Sequence, residues 1–385
     1  MYQIQTLNKI SKKGLGRLGD NYTCADEVAN PDGIILRSFK MHDMELPKSL
    51  RAVARAGAGV NNIPIEKCTE QGIVVFNTPG ANANAVKELV LAGLFLASRG
   101  VVQGIQWAKT LIGEGDAISG LVEKGKSNFV GPEIEGKTLG VVGLGAIGVR
   151  VANAAHHLGM DVIGYDPYLS VNAAWSLTRF AHKANTLQEV LEKADYITIH
   201  VPATPETKGM FNSEAFASMK NGARLLNFSR DSLVDEADVI AALDSGKLAS
   251  YVTDFATEAL LKHDKVICMP HLGASTPESE ENCAVMAADQ MKDFLENGNI
   301  INSVNFPACD MGKAAGTRIT ILHKNIPNML KQLTDALASK NVNIAHMLNK
   351  SKGDNAYTMI DVEGSYNSAI AEMEAIEGVI KVTVL

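Results

Sequence analysis

From residue 33 to residue 270, short apolar runs alternate with longer stretches of helical period. The runs GIILRS, RAVARAG, IVVFNTPG, TLGVVGLG, MDVIGYDP, DYITIHVP, ARLLNFSR, YVTDF and KVICMP are almost unbroken in their apolar character. Unbroken runs suit parallel strands that are covered on both faces. Each ends in residues of turns and helix N-caps, namely Gly, Pro, Asn, Asp or Ser. The intervening stretches, such as NAVKELVLAGLFLAS and EADVIAALDSG, are amphipathic. The repeated alternation predicts an α/β fold with parallel sheets.

The pattern changes near the end. RITILHK, NMLKQLTDALASK, NIAHMLNKS, NAYTMIDVEG, SYNSAIAEMEAI and VIKVTVL read as βαββαβ, which predicts a small independent ferredoxin-like domain over 317–385. NSVNFPACDMGKAAGTR, residues 302–318, reads as the linker before it. A second shift in composition, rich in Gly and charge, covers residues 113–137.

A chain of 385 residues predicts two or three domains. The net charge of −7 comes without any basic block, which argues against a nucleic-acid surface. Five cysteines lack CxxC spacing, so reduced thiols in a cytoplasmic protein are expected, with no metal site. The first residues lack the apolar core of a signal peptide, and LVLAGLFLAS is too short to span a bilayer.

Chemistry enters at TLGVVGLGAIGVRVANAAHHLGMDVIGYDP. Gly143, Gly145 and Gly148 have GxGxxG spacing between a strand and a helix, with Ala146 and Ile147 inside the turn. A second strand ends at Asp166. Gly143 permits a tight turn, Gly145 lets a pyrophosphate approach the backbone, and Gly148 allows close helix–strand packing. The helix N-terminus offers free N–H groups to phosphates. Asp166 suits ribose hydroxyls and repels a 2′-phosphate, so NAD is expected rather than NADP. The motif begins near residue 140, so another α/β unit must precede it.

Further candidates stand at strand ends, where open α/β sheets bind ligands. Arg230 has a planar fork for a carboxylate. His271 has an imidazole suited to proton transfer. Two acids, Asp254 and Glu258, lie upstream of His271 as candidate partners. In RAVARAGAGVNN, the backbone of Ala58 and Gly59 is a candidate anion cradle. Arg55, Arg37 and Ser38 stand near it as candidates for a phosphorylated substrate, and Lys40 reads better as a solvated charge.

Four stretches, GKTLGVVGLGAIG, HVPATPETKGMF, NFSRDSLVDEADVIAAL and MPHLGAST, resemble in order and spacing the D-isomer-specific 2-hydroxyacid dehydrogenases. The resemblance spans most of residues 30–310. RAGAGVNN, NSVNFP and the C-terminal module, which resembles an ACT sensor domain, are similar to the branch that oxidises phosphoglycerate. The resemblance implies two Rossmann-like domains, one of them discontinuous. The substrate-binding domain would comprise 1–97 and 280–305, the NAD-binding domain 98–279, and the ACT-like domain 317–385.

It also implies roles. Arg230 would bind the carboxylate and C2 oxygen, His271 would be the general acid/base, and Glu258 would orient His271. Asp254 would meet the nicotinamide amide. Val201, Pro202 and Thr207 would lie near the adenine, and Phe228, Ser229 and Gly273 would complete the cofactor site. The family's D-x-F-x-x-E-P reads here as DFATEAL, one residue shorter and without the proline. The implied reaction takes 3-phosphoglycerate to 3-phosphohydroxypyruvate with NAD, the first step towards serine. Alternatives are a glycerate or hydroxypyruvate reductase, or a non-catalytic NAD-responsive regulator on the same fold. In the tail, HKNIPN resembles the ACT ligand motif. His323, Asn325 and Asn343 would hold serine, with Asn328 standing where such motifs have glycine. A homodimer or homotetramer is implied.

Overall fold

Nearly every apolar run becomes a strand in the computed structural model, which describes all 385 residues. The N-terminal segment holds β1 (Tyr2–Leu7), α1 (Lys12–Leu15), β2 (Tyr22–Ala25), β3 (Gly33–Leu36), β4 (Ala52–Arg55), α2 (Ile65–Glu70) and β5 (Val74–Phe76). The strands form one parallel sheet in the order β2-β1-β3-β4-β5. Every residue of β3 and of β5 is buried, which is why these runs lack alternation.

The middle of the chain begins with α3 (Ala83–Ser98), α4 (Val101–Thr110) and α5 (Ile118–Gly125). It continues through β6 (Thr138–Val142), α6 (Ala146–His157), β7 (Asp161–Tyr165), α7 (Val171–Ser176), β8 (His182–Lys183), α8 (Leu187–Lys193) and β9 (Tyr196–Ile199). Then follow α9 (Ser213–Ser218), β10 (Ala223–Asn227), α10 (Glu236–Asp244), β11 (Leu248–Thr253), α11 (Glu258–Leu261) and β12 (Val266–Cys268). These strands make a parallel sheet ordered β12-β11-β10-β9-β6-β7-β8. The chain reverses its direction of winding between β6 and β9, the switch point at which such sheets bind nucleotides.

The last segment holds α12 (Pro277–Asn297), β13 (Thr317–Lys324), α13 (Met329–Ala338), β14 (Asn343–Lys352), β15 (Asn355–Glu363), α14 (Asn367–Glu374) and β16 (Val379–Val384). Proline opens α12 and Glu278 and Glu280 occupy its first turn, both favourable at a helix N-terminus. Its apolar face, including Ala284, Ala287, Met291 and Phe294, joins the core of the first sheet. Pairing in the four-stranded tail sheet, ordered β14-β15-β13-β16, is antiparallel.

Contacts divide the chain into Met1–Ala81 with Pro277–Leu385, and Asn82–Thr276. These limits differ from the expected breaks after 97 and 279 mainly through α3. Its Val86, Val90, Leu94 and Ala97 share a core with Leu139, Val141, Leu226 and Val252 of the nucleotide-type sheet. The segment from Arg99 to Glu133 has no buried residue.

The tail is not independent. One face of its sheet carries Ile319, Ile321 and Ile360 against Leu333, Leu337 and Met373 of its helices. The other face sends Leu322, Tyr357 and Met359 into the core that contains Phe76, Met291 and Phe306. Arg318, buried on β13, pairs with Asp361 at 2.6 and 3.0 Å and donates to the carbonyls of Asn297 at 2.9 Å and Gly312 at 2.8 Å. The expected linker is anchored too. Asn305 is buried, accepting from Val75 N at 2.9 Å and donating to Ile73 O at 2.9 Å.

Candidate active site

In the unit Asn82–Thr276, the glycine turn lies at the switch point. Gly143 has φ +93°, and a Cβ there would sit 2.5 Å from the carbonyl oxygen of His200, which follows β9. A Cβ on Gly148 would sit 1.9 Å from Gly143 O, so helix α6 and the turn touch as backbones. Gly145 and Ala146 are exposed and Ile147 half-buried at the N-terminus of α6, leaving an open cradle above its N–H groups. Asp166 accepts from Leu144 N and from Tyr168 N, both at 2.8 Å. Its carboxylate thus braces the turn as well as presenting acceptors for a ribose.

Thr207 closes the loop after β9 on itself, donating to Pro202 O at 2.6 Å beside the half-buried Val201. Phe228 and Ser229 turn inward. Phe228 packs against Gly93 of α3, and the Ser229 hydroxyl donates to Ile199 O at 2.6 Å. Their side chains serve the fold.

Arg230 follows β10 and is exposed. Asn227 fixes its backbone by donating to Arg230 O at 2.8 Å, and its guanidinium donates to Ser229 O at 2.6 Å. No acid pairs with it, unlike the usual surface arginine. His271 follows β12. Its ring is 65% exposed, lies edge-on to Phe255 at 5.3 Å between centroids, and holds Nδ1 3.7 Å from Asp254 Oδ2.

Asp254 follows β11 and its side chain is 1% exposed. Neither carboxylate oxygen makes a hydrogen bond of good geometry. Burial pushes its pKa up, against the opposing pull of His271, the amides of Asp254 and Gly273, and Arg230. An orphaned buried carboxylate of this kind fits a ligand donor such as a carboxamide NH2. The cradle at α6, the acceptors of Asp166 and this carboxylate together fit NAD.

Glu258 departs from its expected place beside His271. It is the first residue of α11, whose N-cap Thr257 accepts from Leu260 N at 3.2 Å. That helix turn directs its side chain outward, 84% exposed and paired with Lys262. His263 caps a loop, with Nε2 3.3 Å from Asp244 and Nδ1 accepting from Lys265 N at 3.1 Å.

In the other unit, Arg55 Nε donates to Arg37 O at 2.9 Å. Its Nη1 lies 2.7 Å from where a Cβ on Gly57 would be, so the turn passes directly under its guanidinium. Asn77 holds that turn by donating to Ala58 O at 2.7 Å, while the N–H groups of Ala58 and Gly59 have no partner in the fold. Arg37 differs from expectation, because its guanidinium is paired with Glu280 at 2.5 Å. Ser38 is exposed, its N–H accepted by Asn8 at 3.0 Å. Thr78, absent from the expected set, has a fully buried hydroxyl without a partner, and its N–H donates to Gly57 O at 3.1 Å. The polar turn NTPGAN after β5 was the available signal.

In the tail, His323 is buried with both ring nitrogens engaged, by Lys324 O and Thr358 Oγ1 at 2.8 Å each. Burial lowers its pKa, keeping it neutral. Asn325 donates to Gly353 O at 3.2 Å and Asn343 to Glu363 at 2.9 Å. His323 stands opposite Ala356 and Asn343 opposite Glu363 on β15. Within one chain these positions are therefore roughly 24 Å apart along the sheet. Asn328 adopts φ +64°, the left-handed conformation that glycine supplies elsewhere.

Residues 93–273 match the family model for the D-isomer specific 2-hydroxyacid dehydrogenase NAD binding domain. The chain is 31% identical over 353 residues to D-3-phosphoglycerate dehydrogenase 1 of Saccharomyces cerevisiae, covering 85% of this chain and 71% of that one. It is 34% identical over 327 residues to D-3-phosphoglycerate dehydrogenase of Bacillus subtilis, covering 80% of this chain but 60% of that one. Among solved structures, NAD+-bound 3-phosphoglycerate dehydrogenase of Entamoeba histolytica superposes with TM-score 0.60 at 26% identity, over 79% of this chain and 98% of that one. The chain therefore belongs to the D-isomer-specific 2-hydroxyacid dehydrogenase family.

Proposed function

We propose that this chain oxidises 3-phosphoglycerate to 3-phosphohydroxypyruvate, the first step towards serine. The observation that carries this reading is His271, backed by a buried acid, together with the acid-free Arg230, both following strands of the nucleotide-type sheet. The names of the relatives from Bacillus subtilis and Saccharomyces cerevisiae support the substrate. When bound, NAD supplies the hydride acceptor. Arg230 holds the substrate carboxylate and polarises the C2 oxygen. His271 takes the hydroxyl proton during oxidation and returns it during reduction. In the other unit, Arg55 and the amides of Ala58 and Gly59 suit an anionic group such as a phosphate.

The pairing of Arg37 with Glu280 removes one cation from that group and favours a second reading, a glycerate or hydroxypyruvate reductase. Rates of NADH oxidation with 3-phosphohydroxypyruvate, hydroxypyruvate and glyoxylate separate the two. A kcat/KM at least tenfold higher for the phosphorylated acid supports the first reading, and the reverse order supports the second. No turnover of any of them, despite NADH binding, supports a non-catalytic regulator.

We read the chain as a cytoplasmic homodimer or homotetramer. No helix is long and apolar enough to cross a membrane, and all five cysteines are free. The unburied segment 99–133 exposes Ile105, Ile112 and Val130, a surface for a second copy. The separation of His323 from Asn343 means that a serine site using both requires two tails. Light scattering, with and without serine, tests both readings. A monomer that is still inhibited by serine would overturn them.

A further inference from the structure

The shortened loop between β11 and α11 changes which carboxylate His271 meets. Thr253 ends β11, and only Asp254, Phe255, Ala256 and Thr257 separate it from α11. Thr257 is occupied twice, accepting from Leu260 N and donating to Glu236. Glu258 therefore starts a helix and faces solvent beside Lys262. Asp254 stays at the strand end, buried, with Oδ2 3.7 Å from His271 Nδ1 and both oxygens unsatisfied.

We infer that Asp254, and not Glu258, is the positioning carboxylate for His271 in this chain. This deepens the dehydrogenase reading and rests on it for its catalytic consequence. Nδ1 is turned towards Asp254 at 3.7 Å, which leaves Nε2 as the nitrogen that exchanges a proton with the substrate hydroxyl. In oxidation the substrate O–H bond breaks, its proton joins Nε2 and the C2–O bond becomes a carbonyl, with NAD, when bound, supplying the acceptor for the hydride lost from C2. The imidazolium formed lies beside the buried Asp254 carboxylate, 3.7 Å from Nδ1. Phe255, edge-on to the imidazole, limits its rotation. The titratable groups around this pair are Arg230 after β10, Cys268 at the end of β12 and Tyr251 on β11. None of them is a carboxylate that substitutes for Asp254.

The test is an NMR titration of the His271 ring in the full chain, assigned by its absence in His271→Asn. Asp254→Asn keeps the shape and removes the charge, and should lower the titration midpoint by about one pH unit. Glu258→Gln should leave it in place. In turnover, Asp254→Asn should lower kcat about 100-fold and move the acid limb of the pH profile down, with Asp254→Glu partly restoring both. A midpoint that falls in Glu258→Gln overturns the assignment, even where Asp254→Asn fails to fold. So does a midpoint unmoved in Asp254→Asn. The titration needs no substrate, so an inactive wild type would sink the dehydrogenase reading while the pairing is still decided.

Discussion

Replacing Arg318 with Met should release the tail from the rest of its unit. The guanidinium is 1% exposed and pairs through two nitrogens with Asp361, its cross-strand neighbour. It also donates to carbonyls at Asn297, the C-terminal residue of α12, and at Gly312. Methionine fills most of the stem's volume but satisfies none of these acceptors. Removing one member of a buried, hydrogen-bonded ion pair costs about 3–5 kcal/mol. Asp361 keeps 23% of its side chain in contact with water, which moves the expectation to the lower end, about 3 kcal/mol. Trp107 and Trp175 both lie in the other unit, so tryptophan fluorescence would miss the event. Hydrogen exchange at the amides of β13 and β15 reads it directly. Protection there should fall by about 100-fold, since 1.4 kcal/mol corresponds to a factor of ten. The double variant Arg318→Met with Asp361→Leu should recover most of the loss, because the stranded carboxylate is gone. A single-variant loss below about fivefold would refute the reasoning, and so would a double variant as labile as the single one.

Three further outcomes follow from the nucleotide-type unit. Gly148→Ala would place a Cβ 1.9 Å from Gly143 O, so calorimetry should find NAD binding lost, and an unchanged Kd would contradict the backbone contact. Asp166→Ala removes the bracing of Leu144 N and the repulsion of a 2′-phosphate, so the ratio of NAD to NADP affinity should fall at least about tenfold. His200 is held neutral by burial, its pKa lowered to about 3, with Nδ1 shielded and unpartnered. The unfolded chain then binds the extra proton first, so stability falls as pH drops from 6.5 towards 3, by at most about 1.4 kcal/mol per unit. His200→Gln should flatten that part of the urea-midpoint curve, and a curve superposable on wild type would remove His200 from the account.

The strands of both parallel sheets were legible where burial on two faces made the run continuous, as in Gly33–Leu36 and Thr138–Val142. β1 was not, because YQIQTL mixes polar residues into an edge-proximal strand. The helix at Ala83–Ser98 was visible from its period, but amphipathicity does not say which sheet an apolar face meets. The glycine turn was legible because backbone contact allows only glycine at 148. The placement of Arg230 and His271 just after parallel strands was legible from the runs ARLLNFSR and KVICMP that precede them. The outward direction of Glu258 was not legible, because a motif records residue order and losing one loop residue turns a side chain into a different direction. The docking of the tail was hidden because Leu322, Tyr357 and Met359 read as ordinary strand residues until their partners on α12 are known.

His271 is proposed to move the proton in an NAD-linked 2-hydroxyacid reaction. Turnover of 3-phosphohydroxypyruvate by His271→Asn, measured through NADH absorbance with NADH binding followed by its fluorescence, tests it most directly. The kcat of that variant should be at least about 100-fold lower, with NADH affinity within about twofold of wild type. Undiminished turnover in that variant would contradict it.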